Sequence, residues 1–448
     1  MPQFQLPGRP GSRLSPFQII ILGFAGIILT GALLLITPLA AADGRAASFS
    51  DALFTSVSAV CVTGLVVCDT ATRWSVFGQA VILVLIQIGG LGVVTAAASL
   101  VMLTGKNLSL KQRSTLQEAV SAPQMGGIAG FTKFILKVTF FTELAGALVM
   151  LPVFARDFGP RGVWMALFHS VSAFCNAGFD LLGRPGDLCP SLTAYTGSPV
   201  ISLTVMLLII SGGIGFVTWE DFLHRKLNIR RYRVQSRIIL STTAFLILVP
   251  AVLFYFLEFS GLPVPERVLA SLFQSVTART AGFNTVPLNA MSGAGQAVLI
   301  ALMLIGGSPG STAGGIKTTT FAVLWANTRA ALRRQKDPQL FCRRIDGGTV
   351  GQASALMVLY LILAITGALV ISRAEGIPAG TCLYETASAL GTVGLSLGIT
   401  QQLGLLSRII LMILMFLGRV GSLTIAYAAF SSVDTRSSGF PHARVTVG

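Results

Sequence analysis

One short stretch occurs four times in this chain, and its recurrence constrains the fold more than any other feature. It reads LFTSVSAVCVTGL at Leu53–Leu65, LFHSVSAFCNAGF at Leu167–Phe179, LFQSVTARTAGF at Leu272–Phe283 and LYETASALGTVGL at Leu383–Leu395. Each copy carries an aromatic (Phe54, Phe168, Phe273, Tyr384), two small hydroxyl residues, an alanine and a glycine (Gly64, Gly178, Gly282, Gly394). The glycines lie 114, 104 and 112 residues apart. A fixed period with a constant internal order means tandem structural units. Each stretch is also short, because a helix needs about 20 apolar residues to cross a bilayer.

The residues around these stretches are those of a membrane protein. Of 448 residues, 53% are hydrophobic and 11% charged, against about a quarter charged in a soluble domain. Lys and Arg number 32 against 17 Asp and Glu. In a soluble chain that excess points to nucleic acid, but here the basic residues cluster in a few short loops, where they set topology. Cys61, Cys68, Cys175, Cys189, Cys342 and Cys382 show no metal-ligand or redox spacing. Arg9 and Arg13 precede the apolar run Phe17–Ile36 and then Ala40-Ala41-Ala42, which is the outline of a signal peptide. The run is longer than the usual h-region of about 7–15 residues, and every other unit has a helix in the same place. It is therefore read as a retained membrane helix.

Eight apolar spans are expected, near 17–38, 76–103, 133–154, 198–219, 237–258, 296–325, 350–372 and 405–430. They pair around the short stretches as span, short stretch, span. The expected fold class is an all-α polytopic membrane protein of four helix–half-helix–helix repeats around one pore, at 1–125, 126–235, 236–345 and 346–448. The linkers carry Lys106, Lys111, Arg113, Lys133 and Lys137; Arg225, Lys226, Arg230, Arg231, Arg233 and Arg237; and Arg329, Arg333, Arg334, Lys336, Arg343 and Arg344. The positive-inside rule puts these segments and the N-terminus in the cytoplasm. The short stretches then enter and leave from outside, and all four repeats share one orientation.

A re-entrant segment is tolerated at membrane depth only where protein or a water-filled cavity surrounds it. Four of them on one axis meet that condition. Half-helices are expected at Ser50–Val60, Met165–Phe174, Leu269–Ala278 and Gly380–Leu390, each aiming its partly negative C-terminal end at the axis. The chain returns through Val62-Thr63-Gly64, Asn176-Ala177-Gly178, Thr280-Ala281-Gly282 and Thr392-Val393-Gly394. Glycine suits backbone that turns its carbonyl inward at unusual dihedrals, and rings of carbonyls can replace the hydration shell of a monovalent cation. The third copy has one residue fewer before its glycine than the others.

A second recurrence lies in the second span of each repeat: IGGLGVVT (Ile88–Thr95), SGGIGFVT (Ser211–Thr218), IGGSPGST (Ile305–Thr312) and LGRVGSLT (Leu417–Thr424). The third opens into Gly306-Gly307-Ser308-Pro309-Gly310-Ser311-Thr312-Ala313-Gly314-Gly315. That run cannot continue a helix, since glycine costs about 1 kcal/mol and proline about 3 per site. It is the expected gate. It is not a phosphate loop, because GxxxxGK[ST] is absent and the run lies within a span. The fourth copy places Arg419 where the others have glycine, and a mid-membrane arginine must find acceptors. These are either carbonyls of the broken stretch or the mid-span acid Glu143. Lys317 follows the run, either reaching for the cytoplasmic interface or touching the gate. An intramembrane protease would need a paired constellation in the spans, whereas His169 and Ser170 lack a second polar partner.

Four span–half-helix–span units with one filter glycine each resemble the Trk/Ktr/HKT superfamily of potassium transporters. GGSPGSTAGGIKT (Gly306–Thr318) is similar to that superfamily's intramembrane gating loop, and Arg419 matches as well. The resemblance covers nearly the whole chain and looks most like the Ktr membrane subunit. It implies passive potassium uptake through a channel-like pore in the cell membrane, with K+ at the filter residues and often Na+ stimulation. It also implies a homodimer on a cytoplasmic ring of nucleotide-binding regulatory subunits. In the HKT branch a serine at the first filter position goes with sodium selectivity, so Gly64 favours potassium. The alternative is a sodium-conducting or weakly selective relative.

Overall fold

The computed structural model describes residues 16–103, 116–117, 127–186, 189–226, 228–335 and 337–421. Arg9, Arg13, Lys106, Lys111, Arg113, Lys336 and the end of the last expected span lie outside them. The fold is helical, as expected. Among the described residues the only β-ladder joins Gln339–Leu340 to Arg343–Arg344.

Each repeat builds the same three pieces. The first helices are Pro16–Ile36, Ile128–Phe158, Val234–Leu257 and Gly347–Glu375, with 21, 31, 24 and 29 residues. At 1.5 Å per residue each reaches about 30 Å or more, the thickness of a bilayer core. Between 28% and 39% of each apolar window is buried inside the protein. The remaining surface presents large side chains such as Leu33, Phe141, Leu148, Leu248, Ile362 and Leu369. Apolar surface on that scale is favourable against lipid and unfavourable against water.

The half-helices are Phe49–Val60, Arg161–Phe174, Val264–Thr277 and Ala379–Gly391. The first and fourth begin within one residue of expectation, whereas the second and third begin four and five residues earlier. Unlike the first helices, they are enclosed over their C-terminal turns. The recurrent aromatics Phe54, Phe168, Phe273 and Tyr384 are fully buried.

The second helices are Val76–Leu91, Pro199–Gly213, Gly293–Leu304 and Leu405–Val420. Unbroken spans were expected here except at the glycine run of the third repeat, and the structure breaks the first two as well. Gly92, Gly215 and Gly421 follow or end these helices with φ of 84°, 85° and 91°, a region that no right-handed helix uses and that glycine enters cheaply. The chain turns by 100° after Leu91 and by 99° after Gly213 before the next helical segment. In the third repeat the helix stops at Leu304, and Ile305 pairs with Ile316 as an isolated parallel bridge. The described residues therefore hold four long apolar helices and two bent pairs.

The repeats close into a ring. Val76–Leu91 packs on Arg161–Phe174, Pro199–Gly213 on Val264–Thr277, and Gly293–Leu304 on Ala379–Gly391. Leu405–Val420 then packs back on Phe49–Val60. Each second helix thus supports the half-helix of the next repeat, which places the four half-helices around a common centre.

Candidate ion pathway

Two hydroxyls in each half-helix explain the recurrent motif. The first anchors the half-helix to its own first helix. Ser56 Oγ donates to Ile28 O (2.7 Å), Ser170 Oγ to Glu143 O (2.6 Å), Ser275 Oγ to Ile247 O (2.7 Å) and Thr386 Oγ1 to Ala364 O (3.0 Å). The second holds the returning strand. Ser58 Oγ accepts from Gly64 N (3.1 Å) and Ser388 Oγ from Gly394 N (3.0 Å), while Ser172 Oγ donates to Phe179 O (2.8 Å) and Thr277 Oγ1 to Phe283 O. Each buried bond is worth about 1 kcal/mol, and the cost of leaving its partner unmade is larger.

The returning strands share one backbone pattern. Val62, Asn176, Thr280 and Thr392 have φ of 56°, 59°, 68° and 51°, and the glycine two residues later has φ of 90°, 70°, 81° and 93°. Positive φ costs a non-glycine residue about 1–3 kcal/mol and survives only where the surroundings over-determine it. Thr63, Ala177 and Val393 each donate their N–H five residues back, to Ser58 O (2.8 Å), Ser172 O (2.7 Å) and Ser388 O (2.8 Å). In the third repeat Ala281 N reaches Thr277 O (3.0 Å), four residues back. The missing residue is absorbed in that turn, and Gly282 stays in register.

The four glycines meet. A Cβ added to Gly64 would strike Ala177 O, and one on Gly178 would lie 2.8 Å from Ala281 O. A Cβ on Gly282 would strike Val393 O, and one on Gly394 would strike Thr63 O. Each glycine abuts the carbonyl just before the next repeat's glycine, and the fourth returns to the first. Above this ring opens a cavity of about 120 Å³, lined by all four glycines with Asp69, Asp180, Asn284, Ser396 and Thr400. Carbonyls on the ring and a carboxylate at the rim make a site that suits a partly dehydrated cation.

The glycine run of the third repeat is stitched to its neighbours. Ser308 N donates to Gly213 O (3.0 Å) and Thr312 N to Gly212 O (3.2 Å). Phe216 N donates to Gly310 O (2.9 Å), and Thr312 Oγ1 to Phe174 O (3.0 Å) at the end of the second half-helix. Within the third repeat, Gly306 N bonds Ile316 O (2.8 Å) and Thr318 N bonds Gly307 O (2.9 Å). Ser311 Oγ bonds Ser308 O (2.6 Å). Gly314 lies against Thr392, where any side chain would collide. Pro309, Ala313 and Gly315 complete a loop that runs beside the ring.

Arg419 takes the first of its two expected sets of acceptors. Its guanidinium donates to Thr312 O on this loop and to Gly89 O and Gly90 O (3.1 Å) at the helix break of the first repeat. Glu143 instead faces Gln87 Nε2 (3.4 Å) and Cys175 Sγ (3.8 Å). Lys317 Nζ donates to Ala313 O (2.8 Å), so it touches the loop rather than reaching outward. His169 is enclosed, with its ring nitrogens beside Met165 O (2.8 Å) and Leu181 N (3.4 Å). All six cysteines are free, and the described residues hold no group of three or more metal-ligating side chains.

Sequence reasoning missed the strained residue two places before each glycine. Asn176 was the one visible hint, because asparagine tolerates the left-handed region. Val62, Thr280 and Thr392 are β-branched and offered none.

Residues 15–437 match the TrkH family model, described as a cation transport protein. The chain is 37% identical over 446 residues to the potassium/sodium uptake protein NtpJ of Enterococcus hirae, covering 97% of each. It is 36% identical to the Ktr system potassium uptake protein B of Bacillus subtilis, again covering 97% of each. The crystal structure of the potassium transporter TrkH from Vibrio parahaemolyticus superposes with a TM-score of 0.73 at 20% identity, over 93% of this chain and 85% of that one. The chain belongs to the TrkH family of cation transport proteins, and it is a multi-pass membrane transporter, not an enzyme.

Proposed function

We propose that the chain is the ion-conducting subunit of a potassium uptake system in the cell membrane. The observation that carries this reading is the closed cycle in which each of Gly64, Gly178, Gly282 and Gly394 abuts the carbonyl beside the next repeat's glycine. On this reading Val62–Gly64, Asn176–Gly178, Thr280–Gly282 and Thr392–Gly394 are four quarters of one selectivity filter through which K+ passes. Gly306–Gly315 with Lys317 is the gate, and Arg419 latches it closed by bonding Thr312 O and the first repeat's glycine break. The four repeats, with boundaries near 125, 235 and 345, lie parallel around the pore with the N-terminus in the cytoplasm.

The relatives named for Ktr potassium uptake support a Ktr-type assembly. We read it as a homodimer resting on a cytoplasmic nucleotide-binding ring, with Na+ stimulating flux. The test is uptake of K+ and Na+ into proteoliposomes. The wild-type chain takes up K+ in preference to Na+, and Gly282→Ser lowers that preference; an unchanged ratio in the variant overturns the filter assignment.

A second reading, a weakly selective K+/Na+ pathway, draws on two observations. The four filter segments differ in side chains, and a relative is named for potassium and sodium together. A wild-type K+/Na+ uptake ratio near one would favour it.

A further inference from the structure

The residue after the recurrent aromatic is polar and buried in every half-helix: Thr55, His169, Gln274 and Glu385. Only the fourth is an acid. Glu385 is 0% exposed, and no Lys, Arg or His among the described residues forms an ion pair with it. One carboxylate oxygen, Oε2, has no hydrogen-bond partner at all. A buried carboxylate in that position is costly unless some positive charge offsets it.

Its other oxygen is tied to the wall of the cavity. Oε1 accepts from Ser396 Oγ and from Thr400 Oγ1 (3.1 Å). Both hydroxyls line the cavity above the glycine ring. Ser396 stands two residues past Gly394, where the other repeats present Val66, Asp180 and Asn284 to the same cavity. A hydroxyl has one proton and two lone pairs. Because Glu385 takes both protons from behind, the oxygens of Ser396 and Thr400 turn lone pairs forward. The two oxygens sit 3.1 Å apart, and Gly398 N occupies one further lone pair of Ser396 (2.9 Å). What remains on the two oxygens is left to the cavity beside the glycine ring, with the Glu385 carboxyl directly behind them.

We propose that Glu385 is a positioning residue for the ion. Through Ser396 and Thr400 it orients an outer cation subsite that holds K+ just before the filter. This rests on reading the four-glycine ring as the filter. It assigns to the fourth repeat a role at the entrance that the other three half-helices cannot share, since Thr55, His169 and Gln274 carry no fixed negative charge.

The experiment measures K+ uptake against K+ concentration in proteoliposomes, with Gly394→Ser alongside. For Glu385→Gln the half-saturating K+ concentration rises about three- to tenfold, the size expected when a charge-assisted hydrogen bond becomes neutral. Maximal flux stays within about twofold, because the filter itself is untouched. Ser396→Ala shifts half-saturation in the same direction, the double variant is no worse than the weaker single, and Glu385→Asp restores part of the affinity. Unchanged half-saturation in Glu385→Gln, or a loss of maximal flux alone, overturns the assignment. Should Glu385→Gln fail to fold, Ser396→Ala decides: wild-type half-saturation there also overturns it. If Gly394→Ser leaves the K+/Na+ ratio unaltered, the filter reading fails, whatever Glu385 does.

Discussion

The glycine ring and the glycine breaks of the second helices are both fourfold motifs, yet they have diverged differently. In the ring, the third repeat lost a residue and still keeps φ of 68° at Thr280 and 81° at Gly282, in line with its counterparts. In the breaks, the first two copies are bends of 100° and 99°, the third is a ten-residue loop, and the fourth carries an arginine. On the proposed filter reading, a ring of carbonyls works only if all four contributors match in geometry, which accounts for constant backbone beside varied side chains. The breaks need no such match. Asymmetry collects there, where one loop and one arginine meet across repeats.

Three experiments probe that contrast. The largest effect is expected from deleting Gly310–Gly314, which removes the loop carbonyls beside Arg419 and the contact with Thr392. On the gate reading K+ flux rises about tenfold or more, as it does when a state held closed by a few hydrogen bonds is released. Flux at or below wild type would break the division between filter and gate.

A smaller effect is expected from Arg419→Gln. It removes the charge but not the bulk, leaving Thr312 O, Gly89 O and Gly90 O with weaker partners. Losing one to two charge-assisted bonds predicts roughly a three- to tenfold rise in flux with the K+/Na+ ratio intact. A changed ratio with unchanged flux would move Arg419 from gate to filter.

The smallest effect concerns the rim. Burial, reinforced by the charge of Asp69, pushes the Asp180 carboxyl up to about 7. Above that pH the group is charged and attracts cations, and below it the group is neutral. Half-saturating K+ then rises about two- to fivefold as pH falls through that value, the weight of one partly screened rim charge. Asp180→Asn gives the acid-side value at every pH. A flat profile in wild type would remove Asp180 from the entry path.

Much of this was legible in the chain. The aromatic–hydroxyl–hydroxyl–alanine–glycine order located all four half-helices because each position does one repeated job. The aromatic is buried in the core, Ser56, Ser170, Ser275 and Thr386 anchor the half-helix, and the second hydroxyl pins the strand. The spans 76–103 and 198–219 were misread as continuous because hydropathy reports only transfer to lipid. It does not report the direction of the chain after Gly92 or Gly215. Arg419 was recognised as needing acceptors, but two of those acceptors sit in the first repeat, more than 300 residues away in sequence.

By itself the sequence determined the membrane setting, the fourfold order of the repeats and the glycine that closes each short stretch, since composition, period and glycine's unique dihedrals are read directly along the chain. The tertiary structure decided what is shared between repeats. It set the left-handed conformations of Val62, Thr280 and Thr392 against their own preferences, the hydrogen bond from Arg419 to Thr312 O, and the carboxyl of Glu385 behind Ser396. The bonds from Arg419 to Gly89 O and Gly90 O exist only once the fourth repeat has closed against the first.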